Sequence, residues 1–92
     1  MKLGNYVKQP AEVEFYTINY KDDLTAGDNV QSATAVITPS GLTLNSIVIA
    51  DPRVRVGVSG GAVGTKYKIE VTTVTADGRT LQDEFFVTIK NY

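Results

Sequence analysis

The feature that most constrains the fold is a pair of alternating segments near the end of the chain, on either side of an Asp-Gly turn. The segments are 64–75 and 80–90, and Asp77 and Gly78 lie between them. Asp-Gly between two alternating apolar segments is a strong signal for a β-hairpin, because the tight turn needs residues that adopt positive φ. One face of the hairpin is apolar and needs a second sheet to cover it. The side chains expected on that face are Tyr67, Ile69, Val71, Leu81, Phe85, Val87 and Ile89.

Other β-rich segments precede the hairpin. The clearest is 53–58, where three valines alternate with Arg53, Arg55 and Gly57, and this alternation predicts a half-buried strand. About seven candidate strands, spaced roughly 8–12 residues apart, predict an all-β fold, namely an immunoglobulin-like Greek-key β-sandwich. We predict one such domain over residues 13–92, preceded by an N-terminal arm or edge strand over residues 1–12.

The segment 13–20 has an ambiguous pattern. Tyr16, Ile18 and Tyr20 would share one face of a strand, whereas Val13 and Phe15 would point to the other face. A bulge near Phe15 or a change of sheet would bring both sets into the core. We therefore expect one of these irregularities here.

The composition argues against several classes of function. The chain contains no Cys and no His, so it lacks the residues for disulfides, thiolate metal sites and a Ser-His-Asp triad. Nine basic and ten acidic residues give a net charge of −1, and the basic residues are scattered, so nucleic-acid binding is not expected. The first residues lack the apolar region of a secretion signal, and no apolar segment is long enough to span a membrane. We expect no cofactor and no membrane partner.

Two loops carry residues that bind ions in other proteins. Gly60, Gly61 and Gly64 precede a predicted strand, and their spacing is not that of a phosphate-binding loop, which leads into a helix. We interpret them as structural glycines that supply positive φ. Asp22, Asp23 and Asp28 favour an interpretation as turn residues. Calcium binding is the alternative, although the ligand spacing of a calcium loop is absent.

The remaining acidic residues give no sign of catalysis. Asp83 and Glu84 are adjacent on a predicted strand, so they face opposite sides of the sheet. Glu70 is expected opposite Glu84 or Gln82 on an exposed face. A paired-carboxylate hydrolase would need two acids across a cleft, and we expect no enzyme.

Several aromatic residues are candidates for an interface or a structural role. Phe86 falls on the outward phase of the last strand, and Tyr6 and Tyr92 lie near the two ends of the chain. Exposed aromatics often mark contact surfaces, so these three are candidate interface residues. Tyr67 lies where an immunoglobulin-like sandwich places its corner tyrosine, whose hydroxyl bonds to loop backbone. Its role is expected to be structural.

A resemblance to a known family rests on three segments taken together. They contain Gly27-Asp28-Asn29-Val30-Gln31-Ser32-Ala33, then Ser59-Gly60-Gly61 with Gly64-Thr65-Lys66-Tyr67, then Ala76-Asp77-Gly78-Arg79. In these segments the chain resembles the small immunoglobulin-like virion proteins that tailed bacteriophages and prophages encode among their head and tail genes. The likeness covers about residues 13–90.

The resemblance implies a non-enzymatic structural part of the particle: a capsid decoration, a connector or a fibre-attachment component. Its partners would be other virion proteins or copies of itself, with a homo-oligomer among the outcomes. The protein would be made in the bacterial host cytoplasm and carried in the virion. The alternative is a carbohydrate- or cell-surface-binding β-sandwich module. The absence of Trp and of an evident row of exposed Tyr argues against that alternative.

Overall fold

The computed structural model describes residues 2–91 and shows two packed β-sheets. Tyr92, a candidate interface residue, lies outside the described residues. The part of the chain that the structure describes has no helix with the length and hydropathy of a membrane span. The strands are β1 (Lys2–Lys8), β2 (Val13–Asn19), β3 (Val30–Thr38), β4 (Leu42–Ala50), β5 (Arg53–Gly60), β6 (Lys66–Thr75) and β7 (Thr80–Ile89).

The strands divide into a four-stranded sheet and a three-stranded sheet. Sheet A has the order β1-β7-β6-β3, and sheet B has the order β2-β5-β4. Strand β1 pairs in parallel with β7, and the other pairings are antiparallel. This arrangement confirms the prediction of an all-β sandwich of seven strands. The order is compatible with an immunoglobulin-like sandwich, and the Greek-key connectivity stays a prediction.

The hairpin signal at Asp77-Gly78 is confirmed by the pairing of β6 with β7. Tyr67 lies opposite Val87, and Glu70 lies opposite Glu84. Both strands direct alternate side chains into the space between the sheets, where they meet the valines of β5. The buried apolar residues are Ile18, Tyr20, Val30, Leu42, Val54, Val56, Val58, Tyr67, Ile69, Val71, Phe85, Val87 and Ile89.

The expected irregularity in the second strand is wrong. Strand β2 pairs with β5 in one unbroken register from Val13 to Asn19. Ile18 is buried, whereas Val13 and Phe15 are 55% and 49% exposed on the outside of sheet B. The ambiguous pattern therefore reflects a strand with apolar side chains on both faces. One set fills the core and the other set lies on the surface.

Candidate interaction surfaces

The outward surface of β2, β5 and β4, which we call the sheet B face, has a phenylalanine near its centre. Gly57 of the central strand β5 pairs with Phe15 of β2 on one side and with Ser46 of β4 on the other. A Cβ atom at position 57 would lie 2.9 Å from Phe15 Cε1 and 2.6 Å from Ser46 Oγ. The glycine thus allows the aromatic ring to lie close against the backbone of the central strand. The guanidinium carbon of Arg55 lies 4.6 Å from the centre of the same ring.

The charge on the sheet B face has one sign. Arg53 and Arg55 point outward from β5, and the strand register places no acidic side chain on the same face. A shallow depression of about 240 Å³ lies beside them and includes Val48 in its wall. The outward residues are Val13, Phe15, Thr17, Asn19, Thr43, Ser46, Val48, Ala50, Arg53, Arg55, Gly57 and Ser59.

The outward surface of β1, β7, β6 and β3, the sheet A face, is organised differently. Lys68 Nζ lies 3.8 Å from Glu70 Oε2 and 3.7 Å from Glu84 Oε2. Phe86 points outward, as its sequence phase predicts, but it is half-buried, with Lys66 Nζ 4.7 Å from the ring centre. The charges at the centre of this face are therefore paired within the chain, and a lysine covers the aromatic ring.

Tyr6 belongs to an aromatic cluster at the open side of the sandwich between β1 and β2. Its ring centre lies 4.8 Å from that of Tyr16 and 5.9 Å from that of Phe85. Tyr6 itself is 42% exposed. The three rings line a cleft of about 230 Å³ that also reaches Leu3 and Asp23. Tyr6 lies opposite Val87, next to the candidate Phe86 in the sheet register, but the two rings are on opposite sides of sheet A: Tyr6 is at the rim of the cleft and Phe86 points outward.

Tyr16 and Tyr20 differ in how their hydroxyl groups are satisfied. The Tyr16 hydroxyl is buried and has no hydrogen-bond partner among the described residues. Burial, reinforced by the negative charge of Glu14, raises the pKa of Tyr16 to about 12. The Tyr20 hydroxyl accepts a hydrogen bond of 3.0 Å from Thr73 Oγ1, and burial raises the pKa of Tyr20 to about 12 as well. Both phenols are therefore neutral at physiological pH.

Lys8 is a buried cation that sequence reasoning missed. Its ammonium nitrogen donates hydrogen bonds of 2.7 Å to the Gln9 carbonyl and 2.6 Å to the Gly60 carbonyl. Burial lowers the pKa of Lys8, against the opposing effect of the Glu12 and Glu14 charges. The side chain joins the end of β1 to the end of β5. The only sequence signal is its phase, since it alternates with Gly4 and Tyr6 on the inward side of β1.

The glycine loop and Tyr67 form a structural corner. Gly60, Gly61 and Gly64 have φ values of 76°, 100° and 86°, the left-handed region that favours glycine. The Tyr67 hydroxyl accepts a hydrogen bond of 2.9 Å from the Ala62 N–H. A Cβ atom at position 61 would lie 2.6 Å from Ile89 Cγ1, so the loop lies directly on the end of the core.

The acidic residues after β2 make turn contacts. Asp28 Oδ1 accepts hydrogen bonds of 2.9 Å from the Asn29 N–H and 3.0 Å from the Asp77 N–H. Burial opposes ionisation of this carboxyl, but the hydrogen bonds from Thr75, Asp77 and Asn29 outweigh it and lower the pKa of Asp28. Asp28 thus links the loop between β2 and β3 to the hairpin turn, where Gly78 has a φ of 88°.

No group of three or more His, Cys, Asp or Glu side chains within residues 2–91 is arranged to hold a metal ion. Asp22 and Asp23 are exposed in the turn. The Asp23 N–H donates a hydrogen bond of 2.9 Å to the Tyr20 carbonyl, which is a turn contact.

The fold and its surfaces define a small all-β sandwich with ion-paired charges at the centre of one face and an exposed aromatic ring beside arginines at the centre of the other. The family model described as podophage GP4 fiber-tail adaptor protein gp77 matches residues 8–88. The chain belongs to this family, and the resemblance to small phage virion structural proteins is confirmed. The matched range contains Lys8, all of β2 to β6 and most of β7, and it leaves out Tyr6. No curated protein matches the chain.

Proposed function

We propose that this chain is a non-enzymatic adaptor of a phage virion that attaches fibre to tail by protein–protein contact. Among the structural roles that the sequence left open, the family description supports fibre attachment over capsid decoration. The chain is made in the host cytoplasm and functions in the particle. The rigid sandwich supplies fixed surfaces, and the adaptor needs no cofactor to hold two proteins together.

The observation that carries the proposal is the exposure of Val13, Phe15 and Val48 on the sheet B face. They are 55%, 49% and 41% exposed, and they share a face with two arginines and no acidic residue. Aromatic residues and arginines are enriched at protein interfaces, whereas lysines and carboxylates are depleted there. The sheet A face also exposes Val7 and Val36, but its central charges are the ion-paired Lys68, Glu70 and Glu84.

Phe15→Asp tests this assignment in the phage itself. The substitution places a carboxylate at the centre of the sheet B face, on a side chain that is not part of the core. We expect the amount of this chain and of fibre protein per purified particle, measured by quantitative mass spectrometry, to fall about tenfold or more, as for a central interface residue.

Val36→Asp is the matched control, because Val36 is 61% exposed on β3 in the other sheet. Particles with Val36→Asp should keep the wild-type amounts of both proteins. Circular dichroism should show that both variants retain the β-sheet spectrum. The proposal is contradicted if the wild-type chain is missing from purified particles, or if Phe15→Asp leaves the fibre content unchanged.

A further inference from the structure

The free edge of β2 presents backbone groups that no other strand uses. Among the strands within residues 2–91, β2 is at the edge of sheet B and pairs with β5 alone. The Tyr20 N–H donates to the Pro52 carbonyl at 2.9 Å, so the even-numbered residues of this strand direct their backbone groups toward β5. Backbone groups alternate in direction along an antiparallel strand. The N–H and C=O groups of Val13, Phe15 and Thr17 therefore point away from the sheet.

This edge is more regular than the other three edges of the sandwich. The pairing of β1 shifts between Lys2 and Gly4, that of β3 between Val30 and Ser32, and that of β4 between Leu44 and Ser46. Such irregularities, like lysine and proline, hinder the pairing of an edge with another chain. Strand β2 has no irregularity in its pairing, and its sequence contains no Lys, Gly or Pro.

The cleft between β1 and β2 lies along this same edge. Thr17 of β2 contributes to its wall, and the rings of Tyr6, Tyr16 and Phe85 form its apolar part. Because side chains of a strand alternate between the two faces of a sheet, a strand added beside β2 would direct every second side chain toward the cleft. The cleft volume of about 230 Å³ is enough for one large apolar side chain.

The surroundings of the cleft are acidic. Asp23 lines one end, and the charges of Glu12 and Glu14 act on Tyr16 and Lys8 at the other. Two cations near the cleft are hydrogen-bonded to backbone carbonyls: Lys8 to Gln9 and Gly60, and Arg79 to Asp23. A partner with Lys or Arg next to its apolar residue would complement this charge.

We propose that the free edge of β2 binds an extended segment of a second virion protein as an added strand of sheet B. The segment places an apolar side chain in the cleft on Tyr6, Tyr16 and Phe85 and a Lys or Arg near Asp23 or Glu14. Backbone hydrogen bonds to Phe15 and Thr17 hold it, as in other cases of strand addition. The inference rests on the proposed function, since it names how one partner of the adaptor is bound.

Thr17→Pro tests the strand addition, and Thr17→Ala is its matched control. Both variants lose the threonine side chain, but proline also removes the outward N–H and blocks an approaching strand. Because this N–H is not bonded to β5, proline is compatible with the edge position. In particles made with each variant, we expect Thr17→Pro to reduce the incorporated chain at least about tenfold relative to Thr17→Ala. The two purified proteins should have the same β-sheet spectrum by circular dichroism.

A photo-crosslinking residue identifies the occupant. Benzoylphenylalanine at position 17, irradiated in purified particles, should crosslink to a basic and apolar segment of another virion protein that mass spectrometry can assign. The same group at position 34, which is exposed on β3 in the other sheet, should not give that product.

The strand-addition inference fails, while the adaptor proposal stands, if the wild-type chain is present in particles and Thr17→Pro is incorporated as well as Thr17→Ala. It also fails if the crosslink at position 17 joins two copies of this chain, because the occupant is then a second copy. If the wild-type chain is absent from particles, the adaptor proposal fails, and the strand addition fails with it.

Discussion

The two outer faces of the sandwich contain similar cation–aromatic contacts, but they differ in the exposure of the ring and in the charges around it. Each face has an aromatic ring beside a cation, Phe15 with Arg55 on sheet B and Phe86 with Lys66 on sheet A. On sheet A the ring is half-buried and the neighbouring charges form ion pairs around Lys68. On sheet B the ring is 49% exposed and no carboxylate shares the face.

An exposed side chain is therefore informative about binding only when its surroundings are considered as well. An outward aromatic on a strand is ordinary. Where a lysine covers it, the ring is already in contact within the chain and needs no partner protein. An outward aromatic packed on a glycine, beside arginines that share their face with no carboxylate, leaves apolar area and positive charge for a partner.

Gly57→Val and Thr72→Val compare the centres of the two faces. A branched side chain at position 57 displaces Phe15 and Ser46, because a Cβ atom there already meets both within 3 Å. We expect the free energy of unfolding to fall by about 1–3 kcal/mol for Gly57→Val. Thr72→Val on β6 should change it by less than about 0.5 kcal/mol. Urea denaturation measures both, and equal losses would show that the glycine is not needed for the ring to pack.

Arg55→Met and Lys66→Met compare the two cation–aromatic pairs. Each substitution keeps an unbranched side chain and removes the charge, so each should lower the free energy of unfolding by about 0.5–1 kcal/mol. Only Arg55→Met should also reduce incorporation into particles, since its charge is on the proposed docking face. If Lys66→Met reduces incorporation as strongly, the distinction between the faces is lost.

Lys68→Met tests the ion pairs of the sheet A face. The side chain is 41% exposed and pairs with Glu70 and Glu84, which lie opposite each other and repel when the lysine is removed. The expected loss in the free energy of unfolding is below about 1 kcal/mol, because exposed ion pairs are weak. The loss should shrink further in 1 M salt. A loss that is independent of salt would mean that packing, and not charge, is the cause.

Much of the fold was predictable because its signals are local. The Asp77-Gly78 turn and the alternating valines at 54, 56 and 58 depend on neighbours in the sequence, and the structure has the strands they predict. The outward phase of Phe86 was predictable for the same reason. The partial burial of Phe86 was not predictable, because Lys66, which covers the ring, comes from the neighbouring strand β6. The sequence does not determine where a flexible lysine side chain lies.

The sheet B face was harder to predict, because the apolar residues of segment 13–20 have the pattern expected of core residues. Val13 and Phe15 are apolar, so the sequence predicts an irregularity that buries them, whereas the regular register keeps them on the outside. The informative signal was Gly57, whose missing side chain makes space for the ring, but the pairing of residues 15 and 57 depends on the tertiary fold. The buried Lys8 was missed for a related reason, since its carbonyl partner at Gly60 is distant in sequence.

The parallel pairing of β1 with β7 has a mechanical consequence. Because the strands run in the same direction side by side, pulling the start of β1 away from the end of β7 slides one strand along the other. Their hydrogen bonds are then loaded together and must rupture nearly at once, whereas the bonds of a hairpin pulled open from its ends rupture one after another. Single-molecule stretching between the start of β1 and the end of β7 should therefore give a high rupture force.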